Sequence, residues 1–128
     1  MNDLSDKYSA VNVPLIAVNS MDTLIYQEEV FTEMIEKAKN DSFKFPYLQD
    51  ASQSVAKSFG VKHTPTAYII WRENNQWKVK YKGSIDDNGE NPQLATPFIA
   101  NAVDELLMGK PVSNPETESF GCAIFYRK

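Results

Sequence analysis

Apolar runs of strand length divide the chain. Residues 13–18 are a nearly unbroken apolar run, which is typical of a strand that is covered on both faces of a parallel sheet. Residues 66–71 are predicted to form another continuous apolar strand. Residues 45–48 form a shorter run, and the missing amide hydrogen of Pro46 predicts that this strand lies at a sheet edge. Residues 77–82 alternate between apolar residues and lysines, so they are predicted to form an antiparallel strand with one exposed face.

Two further segments have helical character. Residues 4–8 are predicted to be the last turns of a helix, although no cap or apolar face marks its start. In residues 30–38 the apolar positions recur at helical spacing, with acidic residues at the beginning and lysines at the end. This second segment is therefore predicted to be an amphipathic helix of about three turns.

Capping residues mark two more helices. Asp50 is placed to accept hydrogen bonds from the first amides of a helix that stops at Gly60, where a left-handed residue is favoured. Thr96 precedes Pro97, a favoured first helical residue, and Gly109 follows the last apolar position. We therefore predict one helix that ends at Gly60 and a longer one, capped by Thr96, that ends at Gly109.

A tight turn joins two of the predicted strands. Residues 73–76 are polar and contain two asparagines, which is typical of a hairpin turn. Trp77, Val79 and Tyr81 share one face of the strand that follows. Trp71 and Trp77 flank the turn, and we expect them to form a cross-strand aromatic contact that serves packing.

The order of these elements predicts the fold class. Strand, helix, edge strand, helix, strand, hairpin strand and helix follow one another, which is the pattern of an α/β protein. At 128 residues, of which 42% are hydrophobic, the chain has room for one core rather than two. We predict one domain in residues 1–110 and an irregular tail in residues 111–128.

Charge and composition argue against two classes of function. The net charge of −4 provides no basic surface for phosphates, so nucleic-acid binding is not expected. The N-terminus is polar and acidic, and no apolar run reaches about 18 residues, so we expect no membrane span and a cytoplasmic location. The single cysteine, Cys122, cannot form a disulfide within the chain.

Several stretches, taken in order, resemble one family. Two of them carry candidate chemistry: Thr64-Pro65 before an apolar strand, and the tail segment Gly121-Cys122-Ala123-Ile124-Phe125. The others are residues 45–50 leading into 55–61, residues 81–88 and residues 106–112. Together they resemble the thioredoxin-like proteins of the alkyl hydroperoxide reductase and thiol-specific antioxidant group, a peroxiredoxin-like family with one branch that ends in Gly-Cys-Ser-Ile-Lys.

The resemblance implies a thioredoxin-like three-layer α/β/α sandwich that is incomplete at its N-terminus. Members of the family begin with further strands and with an active cysteine at a helix N-terminus, where the helix dipole lowers the thiol pKa. Met1 aligns with the middle of that helix, so we expect this chain to be truncated and to lack the attacking cysteine. The implied function is that of a thiol-disulfide oxidoreductase or peroxiredoxin-like antioxidant that needs no cofactor and is inactive as this chain alone.

A second function stays open, that of a redox-inactive thioredoxin-fold module that binds extended peptide. The resemblance places His63, Thr64, Pro65 and Thr66 in the substrate groove. It also implies a cis peptide bond at Thr64-Pro65, where the alternative is a trans-proline that begins a strand. His63 could transfer a proton to a thiolate, but a solvated loop histidine is the simpler interpretation.

Cys122 is the candidate for thiol chemistry. As a resolving thiol it would exchange with a partner's cysteine, which requires access and is favoured by a mobile tail. As a structural residue it would be a small buried hydrophobe, because free cysteine is often buried and the residues after it are apolar enough to dock. The sequence leaves both interpretations open.

One acidic loop offers oxygen ligands for calcium. Asp86, Asp87, Asn88 and Glu90 lie close together in the sequence. They lack the glycine at the sixth position and the glutamate at the twelfth that define a calcium-binding hand. A turn of side-chain-to-backbone hydrogen bonds is the better interpretation, and no metal ion is predicted.

The strand that the implied fold lacks predicts association. In the complete fold it would lie between the strands at residues 13–18 and 66–71, so both would expose unpaired backbone groups. We expect the chain to pair these strands directly, to exchange strands with a second copy, or to bind its missing N-terminal segment. The expected substrate partners are a protein thiol or disulfide, or a peroxide.

Overall fold

The structure, a computed structural model, describes residues 2–24, 26–85, 96–119 and 121–127. Within these ranges the helices are α1 (Asn2–Ser9), α2 (Phe31–Asn40), α3 (Ser54–Phe59) and α4 (Phe98–Leu107), with a 3₁₀ turn at Gln27–Glu29. The strands are β1 (Ala17–Asn19), β2 (Tyr47–Gln49), β3 (His63–Thr64), β4 (Ala67–Glu73), β5 (Gln76–Gly83) and β6 (Cys122–Ala123). This mixture of helices and strands confirms the α/β class.

The chain divides into two compact units. The first unit consists of Met1–Lys62 and Ile124–Lys128, and the second of His63–Ala123. The predicted boundary between residues 110 and 111 is a different division and stays a prediction. The tail that was predicted to be irregular contains β6.

The first unit is built on a parallel pair of strands. β1 and β2 pair with Val18 opposite Leu48, and the buried apolar residues of the unit are Tyr8, Met34, Phe45 and Ala56. The prediction of a helix at residues 4–8 is confirmed by α1, and that of a helix at residues 30–38 by α2.

The prediction that the run at residues 13–18 is a strand covered on both faces is wrong. β1 begins only at Ala17, and the side chains of Ile16, Val18 and Leu48 are 56%, 43% and 51% exposed. Within this unit β1 has β2 as its hydrogen-bonded neighbour on one side. The prediction assumed that other elements would pack on both faces of the strand, as is usual in parallel sheets. Within this unit, these apolar residues are not packed in that way.

Asp50 caps α3 as predicted. Its carboxylate accepts hydrogen bonds from the amides of Val55 at 3.3 Å and Ala56 at 3.0 Å, although Gln53 stands at the N-cap position itself. Gly60 ends the helix at φ 69°, in the left-handed region that glycine adopts without a Cβ clash.

The predicted cap of α4 is wrong. Pro97, and not Thr96, stands at the N-cap, and the cap forms no side-chain hydrogen bond. Proline occupies this position because it offers no amide that needs a partner. Gly109 follows the helix at φ 73° as predicted. The acidic loop with Asp86, Asp87, Asn88 and Glu90 lies outside the described residues.

The hairpin of β4 and β5 dominates the second unit. Its two-residue turn places Asn74 at φ 51° and Asn75 at φ 61°, the left-handed pair that the twist of a tight hairpin favours. This turn fixes a register in which Arg72 lies opposite Trp77. The predicted contact between Trp71 and Trp77 is therefore wrong, and the Trp77 ring lies instead 5.7 Å from the Arg72 guanidinium.

A β-bulge overturns the predicted shared face of β5. Ile69 lies opposite Tyr81, but Ile70 lies opposite Val79, so Lys80 is the extra residue. Because Ile69 and Ile70 point to opposite faces, Tyr81 and Val79 do so as well. Ile69 and Tyr81 are buried, whereas Ile70, Val79 and Trp77 are exposed.

Within the described ranges, no helix has the length and apolar character that crossing a membrane requires.

Replacing Tyr81 with phenylalanine should lower the free energy of unfolding by about 1–3 kcal/mol, because buried polar groups would lose their partner. The Tyr81 hydroxyl donates to the Ser84 carbonyl oxygen and lies 2.6 Å from the Thr117 hydroxyl. Urea denaturation measures the change. Val79→Ala, at an exposed position of the same strand, is the control and should change stability by about 0.5 kcal/mol or less. Equal effects of the two substitutions would contradict the role of this hydroxyl.

Candidate functional site

The candidate site is the short antiparallel pair of β3 and β6 in the second unit. Thr64 lies opposite Cys122, and His63 lies opposite Ala123. Residues that are about sixty positions apart in the sequence are thereby brought together, and the chain's one thiol is set beside the segment that was predicted to form a substrate groove. The sequence identifies residues 63–66 and Cys122 as candidates, but it does not predict that their strands pair.

Gly121 makes the close approach of these strands possible. It has φ 132°, a conformation that side chains rarely adopt. A Cβ at this position would lie 2.0 Å from the Thr64 carbonyl oxygen and 3.3 Å from Pro65 Cδ. Only glycine therefore allows the tail to lie this close to Thr64.

The predicted cis peptide bond between Thr64 and Pro65 is confirmed. Next to it, the Thr66 hydroxyl donates a hydrogen bond of 2.5 Å to the His63 carbonyl oxygen. The Thr64 and His63 side chains are partly exposed and Pro65 is exposed. Because neighbouring side chains of a strand point to opposite faces, Thr64 and His63 present different surfaces.

Cys122 is free and exposed. The interpretation of this residue as a small buried hydrophobe is therefore wrong. The access that thiol chemistry requires is present, but it arises from a strand position rather than from a loose tail. The proton-transfer role considered for His63 stays a prediction.

A buried amide anchors the tail beyond β6, within the first unit. The Gln53 Nε2 donates to the carbonyl oxygens of Ser20 and Phe125, both at 3.0 Å. Its Oε1 accepts a hydrogen bond of 3.0 Å from the Arg127 amide. Gln53 is wholly buried at 0% exposure, and its amide is thus satisfied by main-chain groups of two separate segments.

An ion pair supports the same anchor. Arg127 Nε lies 2.9 Å from the Asp22 carboxylate, and its remaining nitrogens reach the Thr23 hydroxyl at 3.2 Å and the Ala51 carbonyl at 3.4 Å. The Leu24 amide and the Arg127 guanidinium hold the pKa of Asp22 below its ordinary 3.8, against the opposing effect of burial. Asp22 is therefore ionised at neutral pH and accepts the guanidinium as a charged partner.

Asp50 joins the loop after β1 to α3. Its carboxylate accepts a hydrogen bond of 2.7 Å from the Ser20 hydroxyl. Burial raises the pKa of Asp50, but the hydrogen bonds from Ser20 and from the amides of Ala56 and Val55 outweigh it, so that the pKa lies below 3.8. The charged form is thus the one that caps the helix.

Tyr126 adds a further tail contact. Its hydroxyl donates 2.5 Å to the Val61 carbonyl oxygen, and the Ile124 amide donates 2.9 Å to the Lys62 carbonyl oxygen. Burial and the nearby Asp50 carboxylate raise the pKa of Tyr126. The hydroxyl therefore remains a donor at neutral pH.

Sequence reasoning missed Gln53, Asp22 and Arg127. Asp22 and Gln53 are polar residues whose neighbours in the sequence do not signal burial, and Arg127 is an exposed residue near the end of the chain. The apolar residues after Cys122 did indicate that the tail could dock, but not which groups would receive it. Among the residues the structure describes, no group of three or more potential metal ligands lies together.

Comparison with known proteins finds similar structures without an assigned function. No family model matches the chain, and no curated protein matches it. An uncharacterized conserved protein from Geobacillus kaustophilus is 34% identical with a TM-score of 0.86, over 98% of this chain and 66% of that protein. A hypothetical protein from Sinorhizobium meliloti is 31% identical with a TM-score of 0.82, over 98% of this chain and 68% of that protein. The chain thus spans about two thirds of the length of each.

Substituting Gly121 with alanine should separate β6 from β3. The matched control is Gly109→Ala, because Gly109 also has a positive φ but has open space around its Cβ position. Both variants incur backbone strain, and only Gly121→Ala adds a clash, which should cost about 1–3 kcal/mol more. The bonded pairs of an antiparallel ladder alternate, and the Ile124 amide bonds to Lys62, so the Cys122 amide is the one that faces Thr64. Thermal unfolding and the hydrogen exchange of the Cys122 amide measure the difference. Equal losses in the two variants would show that the close approach to Thr64 is unimportant.

Proposed function

We propose that the chain, which belongs to the same family as the hypothetical protein from Sinorhizobium meliloti, is a thioredoxin-like module that exchanges thiols and disulfides through Cys122. The observation that carries the proposal is the exposed thiol held opposite Thr64 by strand pairing. A thiol that is accessible and fixed in orientation can meet an incoming disulfide repeatedly in the same geometry.

The chemistry is a thiolate exchange. The Cys122 sulfur attacks one sulfur of a protein disulfide, a new S–S bond forms, and the second sulfur leaves as a thiolate with the electron pair. The chain has one cysteine, so the mixed disulfide is resolved by a thiol of a second molecule. With a peroxide, the same sulfur would take one oxygen to become a sulfenic acid, and water or an alcohol would leave. In either reaction the chain alone cannot complete a cycle.

The finer fold assignment is part of the proposal. A thioredoxin-like sandwich is supported by a parallel pair of strands in the first unit and an antiparallel hairpin in the second. The sequence resemblance supports it as well. We also propose a cytoplasmic location, because a free exposed thiol persists in a reducing compartment.

The proposed partner for assembly is another strand, supplied by a second copy of the chain. It would pair along the edge of β1 that β2 leaves open. The exposed apolar side chains of Val18 and Leu48, which lie opposite each other, support this proposal because strand edges with apolar side chains recruit another chain.

A second candidate function is the binding of extended peptide without chemistry. The observation that favours it is that the main chain at Thr64 is able to pair with an extended segment, as its pairing with β6 shows. A peptide would then have to displace β6 or pair elsewhere. Peptide binding that is undiminished in Cys122→Ser would favour this function over thiol exchange.

Cys122 should form a mixed disulfide with glutathione disulfide at least about tenfold faster in the folded chain than in urea, since orientation raises exchange rates. The matched control is Asn114→Cys combined with Cys122→Ser, which places the only thiol at another exposed position of the same tail. Mass spectrometry at timed quenches measures both rates. A Cys122 rate equal to that of the control would reduce Cys122 to an exposed cysteine without a site.

The isolated chain should associate, and Val18→Glu or Leu48→Glu should raise its dissociation constant by about tenfold or more, because association would then cover a charge instead of an exposed aliphatic side chain. Leu24→Glu is the control, since Leu24 is 79% exposed in a loop, and it should leave association unchanged. Sedimentation equilibrium over a range of concentrations measures the constants. A wild-type chain that stays monomeric at every concentration would contradict the assembly proposal.

A further inference from the structure

The amide of Gln53 occupies the place of a neighbouring strand beside the tail. It bonds the Phe125 carbonyl oxygen and the Arg127 amide, which flank Tyr126. In a parallel ladder, the amide of a residue donates to the carbonyl oxygen of the residue before its opposite residue. Its carbonyl oxygen accepts from the amide of the residue after that opposite residue. A side-chain amide has the same donor and acceptor as a peptide group. Gln53 can therefore hold a main chain without depending on the tail's own side chains.

The second unit shows the same pattern made by main-chain groups. The Lys82 amide donates to the Pro115 carbonyl oxygen at 2.9 Å, and the Lys82 carbonyl accepts from the Thr117 amide at 3.0 Å. These are again the carbonyl before and the amide after an opposite residue, here Glu116, in a parallel bridge. The contacts of Gln53 with the tail thus have the geometry of one rung of a ladder.

Several features make Gln53 more than a packing residue. It has φ 61°, a left-handed conformation that is uncommon for a residue with a Cβ. The second hydrogen on Nε2 is donated to the Ser20 carbonyl oxygen. Both amide hydrogens and the amide oxygen of Gln53 therefore have partners. A fully satisfied buried amide specifies one arrangement, because any shift of the tail along its axis would leave a buried group unpaired.

We propose that Gln53 is a positioning residue that fixes the register of the tail and thereby of Cys122. The anchored residues follow Cys122 directly in the chain, with Phe125 three positions after it. We call the contacts of the Gln53 amide with Phe125 and Arg127 the clamp. The role of the clamp in disulfide exchange rests on the proposed function, but its existence does not. Gln53 does not touch the reacting sulfur and acts through the main chain of the tail.

Gln53→Glu tests the clamp, because it keeps the shape of the side chain, removes both donors and turns a carboxylate toward two carbonyl oxygens. The Arg127 and Ile124 amides should exchange with deuterium roughly 10- to 100-fold faster, while the amides of α2 keep their protection. The disulfide-exchange rate of Cys122 should fall toward the rate in urea. Gln76→Glu, at an exposed position in the hairpin, is the matched control and should change neither measurement.

Tyr126→Phe provides the comparison on the tail itself. It removes the bond to the Val61 carbonyl oxygen but leaves both main-chain contacts of Gln53, so the Arg127 amide should be affected less than by Gln53→Glu. Unchanged tail protection in Gln53→Glu would overturn the proposal. If that variant does not fold, Gln53→Met, which lacks the charge, carries the same expectation. Loss of protection throughout the first unit in both variants would also overturn it, because Gln53 would then be a core residue.

The two proposals fail in distinguishable ways. If Cys122 exchanges no faster in the folded chain than in urea, the proposed function fails, and the tail amides of Gln53→Glu still decide whether the clamp exists. If Cys122 exchanges rapidly but equally in the wild type and in a folded Gln53→Glu variant whose tail amides are released, positioning is overturned and the exchange function stands.

Discussion

The candidate site depends on one constraint: the extended tail, residues 121–127, needs hydrogen-bond partners for its main chain. Buried or half-buried peptide groups are costly when they have no partner. Along the tail the partners follow one another: β3 lies opposite Cys122, the Lys62 carbonyl oxygen accepts from Ile124, and the Gln53 side chain binds the main chain at Phe125 and Arg127. The position of the thiol is therefore set by backbone hydrogen bonding rather than by contacts of the thiol itself.

The same constraint explains why small and polar residues are more informative here than apolar ones. Gly121 is required because a carbonyl oxygen lies where its Cβ would be, and Gln53 because main-chain groups on both sides need an amide. The aliphatic residues near β1 give the opposite picture. They are half exposed, so the first unit as described leaves unburied much of the apolar surface that the sequence supplies for a core.

The sequence predicted local features well where one residue's own geometry decides the outcome. Gly60 and Gly109 adopt the expected left-handed conformation, Asp50 caps α3, and the periodicity of residues 30–38 gives α2. It failed where a partner distant in the chain decides. The bulge at Lys80 reverses the faces of Val79 and Tyr81, and no local pattern announces a bulge. The pairing of β6 with β3 and the burial of Gln53 likewise depend on residues more than fifty positions away.

The lysines of β5 affect where a further strand can approach the molecule. Lys78 and Lys80 lie within 3.8 Å and 2.5 Å of the Glu73 carboxylate, and Lys82 is exposed at the end of the strand. Charged side chains along a strand oppose the approach of a second strand, since bringing it close would remove water from the charges. β5 therefore carries charges of the kind that disfavour edge-to-edge pairing, whereas β1 (Ala17–Asn19) carries none. If a larger sheet forms, its growth should therefore begin at β1, which lacks charged side chains, and not at the hairpin.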